Sequence, residues 1–469
     1  MENAPKTVRK FGVLDKLSYA AGDFGCNMSF ALKGTMTLFW TQFMGVSLGA
    51  MAILTLVTQV WDAVNDPLLG AMVDADRRKY TRNKFLAYIS FGSVGLIFAG
   101  ALCFLPFPNL GTVVKYILYV CGYVIWDAFY TIANVPYGSI LPMITTDDAQ
   151  RAQLSTFRSM GAMVAGIGVG ILTPMLIYDA DSRLMGERIW IVALVMGVLG
   201  FVFFQFMVRT TVIRVETDLT LSEDRPKFNP LVAGRNFLRN RPAVGATLAP
   251  VGMFVGMYGA QTAVAVMFQS YFNAARFSGI FGMLSYLGMF LFVPFVTPIV
   301  RHIGKKEGVV YGTILQLIGY ALMFVLPITP DTNGLIMYSV CQVIAAIGGG
   351  FMTCVSYSMM ADAMDYEEWK FGVRNEGTTY ALHSFFRKLA QGVGPAMGLV
   401  IAGWFGYDPA LQNNQPMDVA RNMVTVVAGM YVLSAVIILI GTALVYNLDR
   451  KTLAKMKADL EERHGKAGE

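Results

Sequence analysis

The sequence predicts an all-α membrane protein: twelve transmembrane helices in two six-helix halves. Three observations carry that expectation. The 469 residues are 55% hydrophobic and only 14% charged, with a mean hydropathy of +0.52, well outside the composition of an ordinary soluble domain. Apolar runs long enough to cross a hydrocarbon core of about 30 Å recur over almost the whole chain, which leaves no room for a soluble catalytic domain. One long polar stretch, 210–241, divides the runs into two equal sets.

In order, spans are expected near 17–43, 50–73, 84–106, 113–142, 154–177 and 188–209, then near 242–272, 278–300, 308–328, 334–361, 377–405 and 421–447. The domains are therefore an N-terminal half (1–209), a cytoplasmic central loop (210–241), a C-terminal half (242–447) and a cytoplasmic tail (448–469). The 47 glycines suit helices that approach one another closely within a bilayer. The start is polar and basic, and its first apolar run is too long for a signal peptide.

Lys and Arg collect in alternate connections: Lys6 to Lys16; Arg77, Arg78, Lys79, Arg82 and Lys84; Arg151; the central loop; Arg301, Lys305 and Lys306; Lys370 and Arg374; and the tail from Arg450. The positive-inside rule then places both termini in the cytoplasm of a multi-pass inner-membrane protein. A net charge of +6 spread over loops gives nucleic acid no footing. Cys26, Cys103, Cys121, Cys341 and Cys354 form no metal-ligating cluster and read as free thiols within spans. Of three histidines only His383 lies in a span, so an enzyme would lack its usual groups at membrane depth.

Two equal halves point to a parallel internal repeat of the major facilitator kind. Ser278 to Lys306 repeats the order of Leu48 to Lys79, an apolar span with a proline near its inner end and then a basic loop, but without the acids. Any cation site therefore belongs to the first half.

That site centres on the second span, Thr58-Gln59-Val60-Trp61-Asp62-Ala63-Val64-Asn65-Asp66-Pro67. Asp62, Asn65 and Asp66 lie one turn apart on a shared face. A charge at the bilayer centre costs about 2.5–3.5 kcal/mol on insertion scales, so two acids on one span call for partners or a task. Oxygen donors suit a hard cation, and Na+ at Asp62, Asn65 and Asp66 or a proton on one acid are both open. With both acids ionised and unpaired the site would repel itself, and cation binding would relieve that repulsion and favour sugar binding. As a blander alternative, the acids sit near a helix end and only orient the segment.

The fourth span places Asp127, Thr131 and Asn134 on one stripe, with Trp126 and Tyr130 on the adjacent one. A polar stripe beside an aromatic stripe fits a sugar, whose hydroxyls want polar partners and whose C–H face wants a ring; packing explains the same residues equally well. Arg158 and Lys388 add positive charge at membrane depth, and Asp23 could partner Lys388.

Four stretches resemble one family: Gly22-Asp23-Phe24-Gly25-Cys26-Asn27, Trp61-Asp62-Ala63-Val64-Asn65-Asp66-Pro67, Asn134-Val135-Pro136-Tyr137-Gly138, and Asp362-Ala363-Met364-Asp365-Tyr366-Glu367-Glu368-Trp369-Lys370 with Arg374. They resemble the melibiose-permease-like glycoside-pentoside-hexuronide:cation symporters of the major facilitator superfamily, in the right order from about 17 to 447. The resemblance implies alternating access and sugar import with Na+ or H+, without a cofactor and as a monomer. It implies cation binding at Asp62, Asn65, Asp66 and Thr131, and sugar-facing positions at Cys26, Asn27, Trp126, Tyr130, Asn134, Gly138, Arg158 and Lys388. Asp127 has no counterpart in that pattern and joins the sugar set as a further acid. An inner gate of Asp362, Asp365 and Arg374 with Arg151 is also implied. The sequence departs at Asn27 and Asn134, where melibiose-transporting members carry acids, and at Gly138, where they carry tryptophan. Fewer acids beside Arg158 and Lys388 admit an anionic hexuronide as well as neutral pentosides or β-glucosides. Two other readings share the spans: a lysolipid carrier of the same fold, and a non-transporting sensor.

Overall fold

The computed structural model describes residues 9–30, 32–76, 78, 80–145, 147–214, 230–372 and 376–467. Regular structure among them is helical, apart from an isolated bridge between Tyr178 and Leu184. The chain forms two compact units. The first holds α1 (Val13–Phe30), α2 (Lys33–Leu38), α3 (Leu48–Ala75), α4 (Lys84–Leu102), α5 (Thr112–Ser139), α6 (Leu141–Ile144), α7 (Asp148–Ile177) and α8 (Gly186–Thr210). The second holds α9 (Pro230–Arg239), α10 (Arg241–Val266), α11 (Ser278–Gly282), α12 (Leu287–Phe292), α13 (Val296–His302), α14 (Lys305–Val325), α15 (Thr332–Phe371), α16 (Glu376–Trp404), α17 (Met417–Leu439) and α18 (Arg450–Ala467).

Ten described helical segments are long and apolar enough to cross a bilayer, which makes this a multi-pass membrane protein. Within the first expected span lie α1 and α2, and a π-helical turn, Phe39–Phe43, follows them. The eighth, expected as one helix over 278–300, is interrupted by 3-10 turns at Met283–Tyr286 and Val293–Phe295, the latter containing Pro294. Proline cannot donate to the helical ladder, and the backbone tightens around it. The tenth runs ten residues past its expected end, to Phe371, where left-handed Gly372 closes it.

Helix starts follow local chemistry. Ser47, Asn83, Asp147, Asn240 and Asp331 each accept a backbone N–H of the turn they open. In the first unit α1 packs on α7 and α8, α4 on α5 and α8, and α3 on α5; in the second α10 packs on α16 and α17, and α14 on α15 and α17.

The internal repeat has a structural signature. The π turn Phe39–Phe43 follows the first span and the π turn Met267–Tyr271 follows the seventh. Val46 donates to Trp40 O and, at the matching place, Ala274 donates to Phe268 O. Left-handed Gly45 and left-handed Asn273 then end the two turns.

Beside the start of α1, Asp15 is enclosed by donors: Arg9 and Arg214 each reach Oδ1 at 2.9 Å, and the Gly12 N–H reaches Oδ2 at 2.9 Å. Burial opposes its ionisation, but the two guanidinium groups and the amide outweigh it and hold the carboxyl below the usual carboxylate value. Asp15→Asn is expected to cost about 1.5–3 kcal/mol at neutral pH by weakening bonds to charged donors. Since the folded value is depressed, this contribution is present above the ordinary carboxylate range and fades as pH falls through the lowered value. Thermal unfolding of the variant and the parent from pH 7 downward should therefore converge in acid.

In the second unit Asp362 lies at 2.5 Å from Lys305 Nζ, with Lys457 Nζ at 4.0 Å from its other oxygen. Within this unit α14 and the C-terminal helix α18 thus supply lysines to Asp362. Arg151 donates through Nε to Thr145 O at 2.9 Å. Asp365 is half-buried in α15, and Arg374 lies outside the described residues.

Candidate functional site

The acids of α3 face α5. Asn65 is the link: its Nδ2 donates to Asp127 Oδ2 at 2.8 Å and to Thr131 Oγ1 at 3.2 Å. Thr131 in turn donates to Asp66 Oδ1 at 2.9 Å. Asn65, Asp127 and Thr131 are all buried, so the four residues Asp127, Asn65, Thr131 and Asp66 make one hydrogen-bonded chain between two helices. Asp62 lies one turn back along α3, where Gln59 Nε2 donates to its Oδ2 at 2.8 Å.

A residue that the sequence reading passed over completes the group. Lys33, the first residue of α2, places Nζ 3.0 Å from Gln59 Oε1 and 3.7 Å from Asp62 Oδ2. The ammonium also stands over the rings of Tyr123 at 5.3 Å and Phe30 at 5.6 Å. The expected repulsion assumed that both acids are unpaired until a cation arrives, whereas Asp62 has a lysine beside it. The signal was available: Lys33 is the one basic residue in 17–43, and the argument that singled out intramembrane acids applies to it equally. Gln59 was invisible for a different reason, because an amide in an apolar run carries no charge to draw attention.

A second polar group lies on α1, α5 and α7. Arg158 Nε bonds Asp23 Oδ1 at 3.0 Å, and its guanidinium stands over Tyr137 at 4.7 Å. Asn27 Nδ2 donates to Asp23 O at 2.9 Å and to Asp23 Oδ2 at 3.3 Å. Cys26 donates to Asn134 Oδ1 at 3.5 Å. Asp23 thus pairs with Arg158 within the first unit, where the sequence had offered it to Lys388. Gly22 makes the arrangement possible, since a Cβ there would run into the Tyr137 ring, and Tyr137 is fixed by donating to Tyr19 O at 2.7 Å.

The aromatic stripe is also in place. Trp126 and Tyr130 stack at 5.5 Å with 25° between planes, and Phe30 lies 5.6 Å from Tyr130. Trp126 is buried, and its indole N–H donates to Ser29 Oγ at 2.6 Å. Tyr130 is half-buried. At exposed Gly138 a Cβ would meet nothing within 4 Å, so the position leaves open space. Lys388, half-buried in α16, belongs to the second unit.

The expected stripe of Asp127, Thr131 and Asn134 divides. Asp127 and Thr131 join the α3 acids, while Asn134 bonds to α1. Positions i, i+4 and i+7 of a helix cover an arc wide enough to serve two neighbours. Buried His383 meets Thr247 Oγ1 at 3.0 Å, joining α16 to α10. All five cysteines are free.

Residues 18–450 match the MFS/sugar transport protein family. The chain belongs to that family. It is 29% identical over 461 residues to the isoprimeverose transporter of Lactiplantibacillus pentosus, covering 96% of this chain and 91% of that protein. It is 26% identical over 433 residues to the glucuronide carrier protein homolog of Escherichia coli K12, covering 90% and 91%. Among solved structures, a bacterial homolog of the human lysosomal transporter Spinster superposes with a TM-score of 0.61 at 16% identity, covering 95% of this chain and 97% of that one, which shows the major facilitator fold. The family and the fold make this a sugar transporter of the major facilitator kind, not an enzyme.

Proposed function

We propose that the protein imports a glycoside, pentoside or hexuronide together with Na+ or H+, by alternating access, across the inner membrane with both termini in the cytoplasm. The observation that supports it is the Asn65–Thr131 link. It ties the α3 acids to α5, the same helix that carries Trp126, Tyr130 and Asn134. A cation arriving at Asp62 or Asp66 repositions α5 and with it the ring platform for the sugar. Coupling then follows by linkage: whatever the ion contributes to sugar affinity, the sugar returns to ion affinity.

Arg158, paired with Asp23 and backed by Tyr137, is the group best placed to recognise a sugar oxygen or a uronate, since a guanidinium holds a carboxylate bidentately. Asn27 and Asn134 supply amides for neutral hydroxyls. Open space at Gly138 suits a second sugar ring or an aglycone.

The test is uptake of labelled isoprimeverose, methyl β-xyloside, methyl β-glucoside and methyl β-glucuronide in cells expressing the chain, with Na+ or choline as the external cation. Accumulation above the external concentration, abolished by an uncoupler, is the expected result for at least one of them. Failure of all four to accumulate would sink the reading.

A further inference from the structure

We propose that Lys33 is a tethered cation in the coupling site: its ammonium takes the seat of a metal ion, and the ion that drives this transporter is a proton, not Na+. The inference rests on the symporter reading above and names its coupling ion.

The seat is built on three sides. Gln59 bridges ammonium to carboxylate, accepting from Lys33 at 3.0 Å and donating to Asp62 at 2.8 Å. Tyr123 and Phe30 present their ring faces to the same nitrogen, as rings do to a desolvated cation. The cavity that adjoins Lys33, lined in part by Ser29, Met36, Cys103 and Trp126, holds only about 10 Å³, room for about one water. The side chain therefore has nowhere on that side to withdraw in favour of a hydrated ion.

The neighbouring polar side chains are drawn into one network beside that seat. The Asn65 amide nitrogen faces Asp127 and Thr131, and the Thr131 hydroxyl is spent on Asp66. The titratable groups facing the cluster are Lys33 from α2, Asp62 and Asp66 from α3, Asp127, Tyr119, Tyr123 and Tyr130 from α5, Cys103 at the end of α4, and, on the far side of Tyr130, Asp23 and Cys26 from α1. Three carboxylates against one ammonium leave excess negative charge. A proton neutralises part of it without the several oxygen ligands that Na+ requires, and the Asp127–Asn65–Thr131–Asp66 chain lets protonation at one end alter the hydrogen bonds at the other.

Direct binding of radioactive sodium to the purified full-length protein in lipid nanodiscs tests this without knowledge of the sugar. The wild type is expected to show no saturable binding at millimolar Na+. Lys33→Ala, which opens the seat, is expected to gain saturable binding of about fivefold or more over background, lost again in Lys33→Ala/Asp62→Asn. In cells held in choline medium, isoprimeverose or methyl β-glucuronide should alkalinise the medium as it accumulates. Saturable sodium binding by the wild type, displaced by unlabelled NaCl, overturns the inference even if the lysine variant fails to fold. Accumulation in choline without alkalinisation overturns it as well. If no probe sugar accumulates, the symporter reading fails instead, while the sodium measurement still decides whether Lys33 fills the seat.

Discussion

Replacing Asp62 and Asp66 together by asparagine is expected to abolish concentrative accumulation while leaving downhill sugar exchange measurable. The two acids hold opposite ends of the α3 contact: Asp62 takes Gln59 and Lys33, and Asp66 takes Thr131. Neutralising them removes two of the three carboxylates at the cluster and leaves Asp127 alone against the Lys33 ammonium. Binding linkage of about 1–3 kcal/mol corresponds to roughly a 5–150-fold loss in sugar affinity at saturating ion. The measurement is counterflow against active uptake in the same vesicles. Accumulation that survives the double substitution would end the coupling hypothesis, whichever ion is involved.

Arg158→Gln carries the second large effect. Its guanidinium bonds Asp23 at 3.0 Å and rests on the Tyr137 ring. Loss of a hydrogen bond between charged groups costs about 1.5–3 kcal/mol, or roughly ten- to a hundredfold in affinity for an anionic sugar. The substitution also leaves Asp23 without that guanidinium, so part of any loss will be structural. Asp23→Asn on top of Arg158→Gln separates the two: thermal stability should recover, while methyl β-glucuronide uptake should stay low. Recovery of uptake together with stability would show that the arginine only neutralises Asp23.

The helical class and nearly all spans were legible in the sequence because length and apolarity are local properties. Asp62 and Asp66 were legible because charges stand out in an apolar run, and Asn65 because it shares their face. Lys33 stands out by the same test, yet its role depends on its place beside Gln59 and Asp62 of α3, which no periodicity announces. Asp127 and Asn134 share a stripe in sequence but serve different neighbours, because the arc between them is divided only once α3 and α1 are in place. The interruption of 278–300 was signalled by Pro294, although the earlier turn at Met283–Tyr286 has no proline to mark it. The lysine partners of Asp362 were not legible because they come from distant parts of the chain, α14 and α18.

Each half carries one surplus residue where its opening helix finishes, within Phe39–Phe43 and within Met267–Tyr271. Every residue in a helix accounts for about 100° of rotation, so shortening either segment by one would swing the chain beyond it by over a quarter turn and send Gly45 or Asn273 off course. Two matching one-residue deletions, made singly, should consequently be about equally damaging, a parity that a chance resemblance between the halves gives no reason to expect.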